Sequence, residues 1–498
     1  MLMLQSVCTE KRIVQKGEKL MRRKKLLSIL LAGAMAISMT ACGGSTGSTS
    51  DGGAADGAGN TEQAASADTE QADAGTTDSG ERIEIRFTEW DGGDTLAVYE
   101  QIAEDFNNSQ DEIHVTVMNI PDEYDTKITS MIAGNDIPEI CILNADTLMY
   151  QYAEQGIVLN LLDFIENDTE FDESNLMDQF KFMMTDDYMA GYGIGSENIC
   201  MFYNPALFEQ YGVEEPPASY ENAWDWDTFV NVCQQLTIDE NGNNALSPDF
   251  DPENIDVYGI SLSRWWAGYM PFILSLGGNY LTEDGTSIGY AEESGITALQ
   301  NLADLIYKYH VAPTPTASET MPGLSESIAT GKVAMAFDGQ WTNATLMADG
   351  VEYAVAAMPR MGDTPATIMT YGGISIMNTD KKDAAWEFMK YLLSEGACQP
   401  LYESGLWLPV TNAEFTDEYV QTFITENHPK NYYEAIVKPQ LDGTAQPSCA
   451  ATVKNFAKIN DILDPALDDL WAGEKTAQEC IDAVKDTANA EVQGWFGE

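Results

Sequence analysis

Cations are scarce in this chain: 25 lysines and arginines stand against 80 aspartates and glutamates, for a formal net charge of −55 at pH 7. A field of that sign repels polyanions, so neither nucleic acid nor an anionic lipid surface is expected as a partner. A solvated acidic surface is all it requires. Histidine is scarcer still: His114, His310 and His428 are far apart in sequence. Among the eight cysteines no pair has C-x-x-C spacing, so no metal or redox centre and no cofactor is expected. The phosphate loop G-x-x-x-x-G-K-[ST] is missing, and the three scattered histidines leave a serine hydrolase thinly supported. ATP chemistry lacks its motif, and serine-based hydrolysis is short of a histidine partner. Glycoside hydrolysis needs only two carboxylates, and a chain this acidic always has a pair to offer.

What is present suits a globular protein with attachments. Hydrophobic residues make up 44% and aromatics 10% of 498 residues, enough for two or three domains with sizeable cores. The attachments come first. Arg22-Arg23-Lys24-Lys25 is followed by the apolar run Leu26 to Met39 and then Thr40-Ala41-Cys42. That is the charged, apolar and small-residue succession of a secretory signal, too short to span a bilayer as a stable helix. A signal beginning at Met21 has the usual length, which leaves open a mis-set start for residues 1–20. From Gly43 to Gly80 the chain has no aromatic, no cation and no aliphatic larger than alanine. Such a segment cannot bury enough surface to offset ordering entropy and reads as a disordered tether, spanning roughly 30–40 Å. The cysteines beyond Cys42 read as small buried hydrophobes, with a disulfide left open by an extracytoplasmic location.

The folded part alternates strand and helix. Arg82–Phe87 and Ile113–Val117 alternate apolar and polar residues as strands do, and Glu139–Leu143 is a short apolar strand. Between them, Leu96, Tyr99, Ile102, Ala103 and Phe106 mark one helix face, and Tyr124–Gly134 forms a helix with its glycine cap. This rhythm predicts an α/β fold with a mostly parallel sheet. Helices follow at Trp226–Leu236, Ile296–Tyr309 and Asp383–Leu393, with a helical pair closing Ile459–Val492. Lys332–Phe337 is a buried strand that exits through Asp338-Gly339-Gln340-Trp341. Ligands of open α/β sheets sit outside the carboxyl ends of strands, so Trp341 stands where a ligand is met, unless it packs into the core.

The segment Ile328–Trp341, IATGKVAMAFDGQW, resembles the strand–Gly–x–Trp signature of bacterial extracellular solute-binding proteins, the sugar receptors of ATP-binding-cassette importers. DEYDTKITSMIAGNDIPEICIL resembles that family's Y-x-K…AG-N/D-x-P-D block, with Glu139 for the usual Asp. Tyr203-Asn204-Pro205 and Phe208 to Gly212, before Pro216-Pro217, resemble its Y-N…L-F…G…PP run. The resemblance covers roughly residues 81–490, in the family's order. It implies a two-lobed α/β fold of the periplasmic-binding-protein type (type II) with hinge crossovers. Lobe one would be 81–192 plus 358–408, and lobe two 193–357 plus 409–498. The first crossover would precede Tyr203-Asn204, the second would follow the strand Tyr353–Met358, and the third would be Leu408-Pro409-Val410. Cys42 resembles the lipoprotein box, with Met39 where leucine is usual, which implies residues 1–41 as signal and 42–80 as lipidated tether.

A sugar presents apolar C–H faces, which pack on aromatic rings, and hydroxyls that must each find a partner. Trp90, Trp265, Trp266, Trp341 and Tyr371 are each taken as loop residues after a strand, and the family places such loops around one cleft. Asp91, Asp146 and Glu197 stand at positions that line the cleft there; Glu197 precedes Asn204 by seven residues. For each, a capping or solvated role is an equal alternative. Gly372 and Gly373 either let backbone approach a ligand or make a plain turn. Gly443–Cys449 offers no aromatic, which argues against a long oligosaccharide. The resemblance implies no catalytic residue. It implies a monomeric receptor, lipid-anchored outside the cell, that captures a carbohydrate and passes it to ABC permease subunits. A carbohydrate-active enzyme and a receptor for a non-sugar solute are the alternatives.

Overall fold

In a computed structural model of the protein, residues 82–92 and 95–496 are described. The signal (1–41), the tether (42–80) and Cys42 lie outside them. The sheet is organised around one long strand. Its members are β1 (Ile83–Glu89), β2 (Ile113–Asn119), β3 (Ile140–Leu143), β4 (Lys181–Thr185), β5 (Tyr188–Tyr203), β6 (Ile238–Asp239), β7 (Ile255–Ser261), β8 (Val333–Gly339), β9 (Ala354–Ala356), β10 (Thr367–Ile376) and β11 (Ala445–Gln446). The main path runs β2-β1-β3-β10-β5-β8-β7-β6. β1 is parallel to β2 and β3, and β7 is parallel to β8. Between these parallel blocks, β10 and β5 run antiparallel to their neighbours on this path, while β11 pairs parallel to β10 off it. The 16 residues of β5 change company partway. Tyr192 to Asn198 pair with β10, whereas Ile199 to Tyr203 pair with β8. One strand thus joins both parallel blocks.

Side-chain alternation divides the interior as strand geometry requires. Along β3, Cys141 and Leu143 join one apolar cluster while Ile140 and Ile142 join a second; along β5, Ile199, Met201 and Tyr203 part from Cys200 and Phe202 in the same way. A strand buried on both faces reads as a continuous apolar run, which is why β3 was legible. The helices Thr95–Ser109 and Tyr124–Ala133 fill the predicted connections. The second ends at Gly134 as its cap, in right-handed geometry (φ −79°), and Asn135 after it takes the positive φ of 58°. Asparagine tolerates that conformation because its side chain hydrogen-bonds locally. The closing helical pair is in fact three helices, Phe456–Ala466, Asp468–Trp471 and Ala477–Glu491. Cys141, Cys200, Cys233, Cys398, Cys449 and Cys480 are all buried and unpaired.

Candidate functional site

The carboxyl ends of the parallel strands collect most of the residues selected above. β1 ends at Glu89, with Trp90 and Asp91 next; β3 leads into a helical turn, Ala145–Met149, that carries Asp146; β8 ends at Gly339, two residues before Trp341. The Asp146 side chain is outside the described residues. Trp90, Trp341 and Tyr371 are half-buried, and each packs against both apolar clusters, so all three lie where the two cores meet.

The β8 end is built by packing. A Cβ on Gly339 would stand 1.9–2.2 Å from the six-membered ring of Trp341. The indole therefore folds back over a strand end that only glycine keeps open. Trp265 flanks it, with ring centroids 6.0 Å apart, and anchors its own Nε1 on Ser263 Oγ at 2.9 Å. Asp338 accepts from the Thr342 hydroxyl at 2.8 Å.

The β1 end is built by hydrogen bonds. Glu89, fully buried, accepts from the Asp91 backbone N–H at 2.7 Å and from Asn119 Nδ2 at 2.5 Å. Asp91 Oδ2 accepts from the Tyr99 hydroxyl at 2.9 Å. Trp90 meets Tyr124 edge to face at 5.4 Å. Glu197 arrives from β5: one oxygen accepts from Thr370 Oγ1 at 3.1 Å, and the other, Oε2, is buried without a hydrogen-bond partner. A buried acceptor in that state is costly and is met by a ligand's hydroxyl at little further desolvation.

Electrostatics ties these carboxylates together. Burial pushes Glu89 up to about 7 and Asp91 up to about 6, with Asp91 also raising Glu89. Burial raises Glu197 well above the usual range, and Asp91 and Asp338 add to it; burial raises Asp338 as well. None of the ion pairs among the described residues reaches any of the four. No group of three His, Cys, Asp or Glu among the described residues is placed to hold a metal. The arrangement offers buried carboxyls, their proton affinity raised, beside flat indoles. Such groups both donate and accept, which matches a ligand rich in hydroxyls.

Four residues stand apart from the loop or turn positions expected of them. Trp266 begins the helix Trp266–Ser275, is 2% exposed and packs on Phe456 at 5.2 Å, as a core residue does. Tyr371 is mid-strand in β10, and its hydroxyl accepts from the Ser448 N–H at 2.6 Å. Gly372 and Gly373 are likewise within the strand rather than in a turn, against Trp407 and against Met149 and Phe182. A cavity of about 690 Å³ opens elsewhere, lined by Tyr150, Met184, Lys454, Phe456 and Phe496 among others; none of the selected residues lines it. Sequence reasoning passed over Glu89, Asp338, Tyr99 and Trp407. For the first two a signal existed: each is a carboxylate at a strand end, next to or three residues before a chosen tryptophan.

The profile of the bacterial extracellular solute-binding proteins matches residues 101–425. The chain belongs to that family. An erythritol/L-threitol-binding protein of Mycolicibacterium smegmatis is 22% identical over 404 residues, covering 75% of this chain and 79% of that one. A putative binding protein of Brucella abortus is 24% identical over 355 residues, 70% of this chain and 80% of that one. Among solved structures, an ABC substrate-binding protein of Listeria monocytogenes in complex with cycloalternan superposes with a TM-score of 0.69 at 24% identity, covering 82% of this chain and 99% of that one. A Bdellovibrio bacteriovorus maltose/maltodextrin-binding domain bound to maltotriose gives 0.64 at 18% identity, covering 82% and 100%. These neighbours show the two-lobed, type II binding-protein fold for this chain. Family and neighbours are binding proteins rather than enzymes, and an extracytoplasmic location follows from the family. No helix among the described residues is long and apolar enough to cross a membrane.

Proposed function

We propose that this protein captures a carbohydrate or closely related polyol outside the cell and delivers it to the permease of an ABC importer. One observation carries the reading: Asp91 and Asp338, at strand ends that also carry Trp90 and Trp341, both act on Glu197 in the middle of β5, whose Oε2 is buried and unpartnered. Rings of indole suit sugar C–H faces, and the carboxyls suit hydroxyls. The relatives named above bind erythritol or threitol, cycloalternan and maltotriose, all polyhydroxylated and uncharged. The lobes would be 81–192 plus 358–408 and 193–357 plus 409–498, closing by hinge bending on the ligand. Cys42 would carry the lipid that holds a monomeric receptor at the membrane, on the tether 43–80.

A thermal-shift screen of the purified protein against erythritol, tagatose, maltose and maltotriose tests the ligand class. A ligand at 100 times its Kd adds about 2.7 kcal/mol of stability, a readily measured rise in Tm. Mass spectrometry of the bound sugar after long incubation must return it unchanged; turnover would move the chain to the glycosidases, and a panel without any shift would reject the carbohydrate reading. Cys42→Ala should release the protein from membranes with ligand binding intact.

A further inference from the structure

The passages between the two parts of the sheet meet on one buried indole. β5 crosses at Gly195 to Asn198, and β10 runs beside it through Gly372/Gly373, where the ladder register slips. A third segment joins them: Leu408 exchanges both backbone hydrogen bonds with Ser196, at 2.9 and 2.7 Å. Trp407, 2% exposed, covers the crossing. A Cβ on Gly195 would stand 2.5 Å from Trp407 Cβ, and one on Gly372 would stand 2.9 Å from the far edge of its ring. Glycine in both strands is what seats the indole. From that seat Trp407 Nε1 donates to the Tyr99 hydroxyl oxygen at 3.1 Å, and Tyr99 donates to Asp91 Oδ2 at 2.9 Å. Tyr99 is itself 1% exposed, so water does not compete for the bond from Trp407.

We propose that Trp407 is a positioning residue for the ligand site, carrying the geometry of the strand crossing through Tyr99 to the Asp91 carboxylate. The proposal rests on the reading of Asp91 as a ligand group. A change in the angle between β5 and β10 moves Gly195 relative to Gly372, and a ring wedged on both must follow. Its bond to Tyr99 then changes, and with it the strength of the bond Tyr99 makes to Asp91, because each donor in such a chain polarises the next. Lobe movement and ligand affinity become linked through three side chains. Asp91 is surrounded by Glu89 from its own strand end, Glu197 from β5 and Tyr99 from the following helix, and Glu197 is faced in turn by Asp338 from β8.

Carbon-13 NMR titration of the Asp91 carboxyl in the ligand-free protein, assigned with Asp91→Asn, tests the relay. The wild-type midpoint is expected at about 6. Tyr99→Phe removes the donor that favours the charged carboxylate and should raise the midpoint by about half a unit to one unit. Trp407→Phe keeps a ring on the two glycines but loses the N–H, and should raise it by about 0.2–0.5 units. The double variant should match Tyr99→Phe alone. An unmoved midpoint in Trp407→Phe, or two shifts that simply add, overturns the proposal. The wild-type protein gives a second readout: the Trp407 indole N–H resonance should titrate at the Asp91 midpoint, and should cease to do so in Asp91→Asn. An indole resonance blind to Asp91 also overturns it. No sugar enters either measurement, so a failure of the carbohydrate reading leaves these outcomes distinguishable.

Discussion

The ends of β1 and β8 are made from the same parts, a carboxylate and a tryptophan just past a strand, yet they are held by different forces. At β1, Asn119, Tyr99 and backbone N–H groups fix Glu89 and Asp91 in place. At β8 the Asp338 carboxylate makes a hydrogen bond to Thr342, and Trp341 is placed by ring packing over Gly339 and beside Trp265. Directional bonds set the aim of a carboxylate to within tenths of an ångström, whereas a ring on a glycine keeps its face free for a second surface. The polar end is suited to reading hydroxyl positions and the aromatic end to gripping whatever sugar face is offered. In the proposed site, specificity and adhesion would thus be separated between two strand ends.

The largest effect expected on breaking this scheme comes from a residue beside it. Trp266→Ala empties a core site and should cost about 3–5 kcal/mol of folding stability, read as a collapsed denaturation midpoint. Its neighbour in sequence, Trp265, is half-exposed, so Trp265→Ala should cost far less; equal losses would erase the distinction between platform and core. Trp341→Ala comes next. It should weaken sugar affinity roughly 5- to 150-fold by calorimetry, equivalent to about 1–3 kcal/mol, with the ligand-free Tm nearly intact. A lost Tm with normal affinity would return Trp341 to the core.

Tyr371→Phe strands the Ser448 N–H and should cost about 1–3 kcal/mol of stability, less if water reaches the amide; a neutral result would detach the Gly443–Cys449 loop from the site. The smallest effect sharpens the polar end. Glu89 and Asp91 bind protons more tightly folded than unfolded, so the folded state holds more protons between the two sets of values. Stability from these groups is fully present below about pH 4 and is lost as pH rises to about 7, the reverse of the usual carboxylate pattern. Glu89→Gln should flatten the decline in Tm over that window. An unchanged pH profile would mean that Glu89 is not the buried acid described.

Much of the fold was legible because it rests on periodicity. The alternation of Ile83, Ile85 and Phe87, the apolar run of β3 and the strand before Trp341 each declare a local state; the mostly parallel sheet expected from the order of strands and helices holds only for the two end blocks, because β5 and β10 pair antiparallel between them. The same local logic put Trp90 and Trp341 at strand ends. It could not tell Trp265 from Trp266, since adjacent residues share every sequence property and differ only in which way a helix start turns them. Nor could it see that β5 would run 16 residues and serve both parts of the sheet.

Sequence alone determined the acidic balance, the alternation that sorts residues to two faces of a sheet, and the placement of a tryptophan just past β1 and β8. Those are properties of a residue and its near neighbours, fixed by backbone geometry and composition. Only the tertiary structure decided that Asp91, Glu197 and Asp338 influence one another, that Gly339 clears room for Trp341, and that Trp407 reaches Tyr99 across more than three hundred residues of chain. The reason is physical: burial and charge coupling depend on distance in space, and two crossing strands bring together residues that no spacing in the sequence connects.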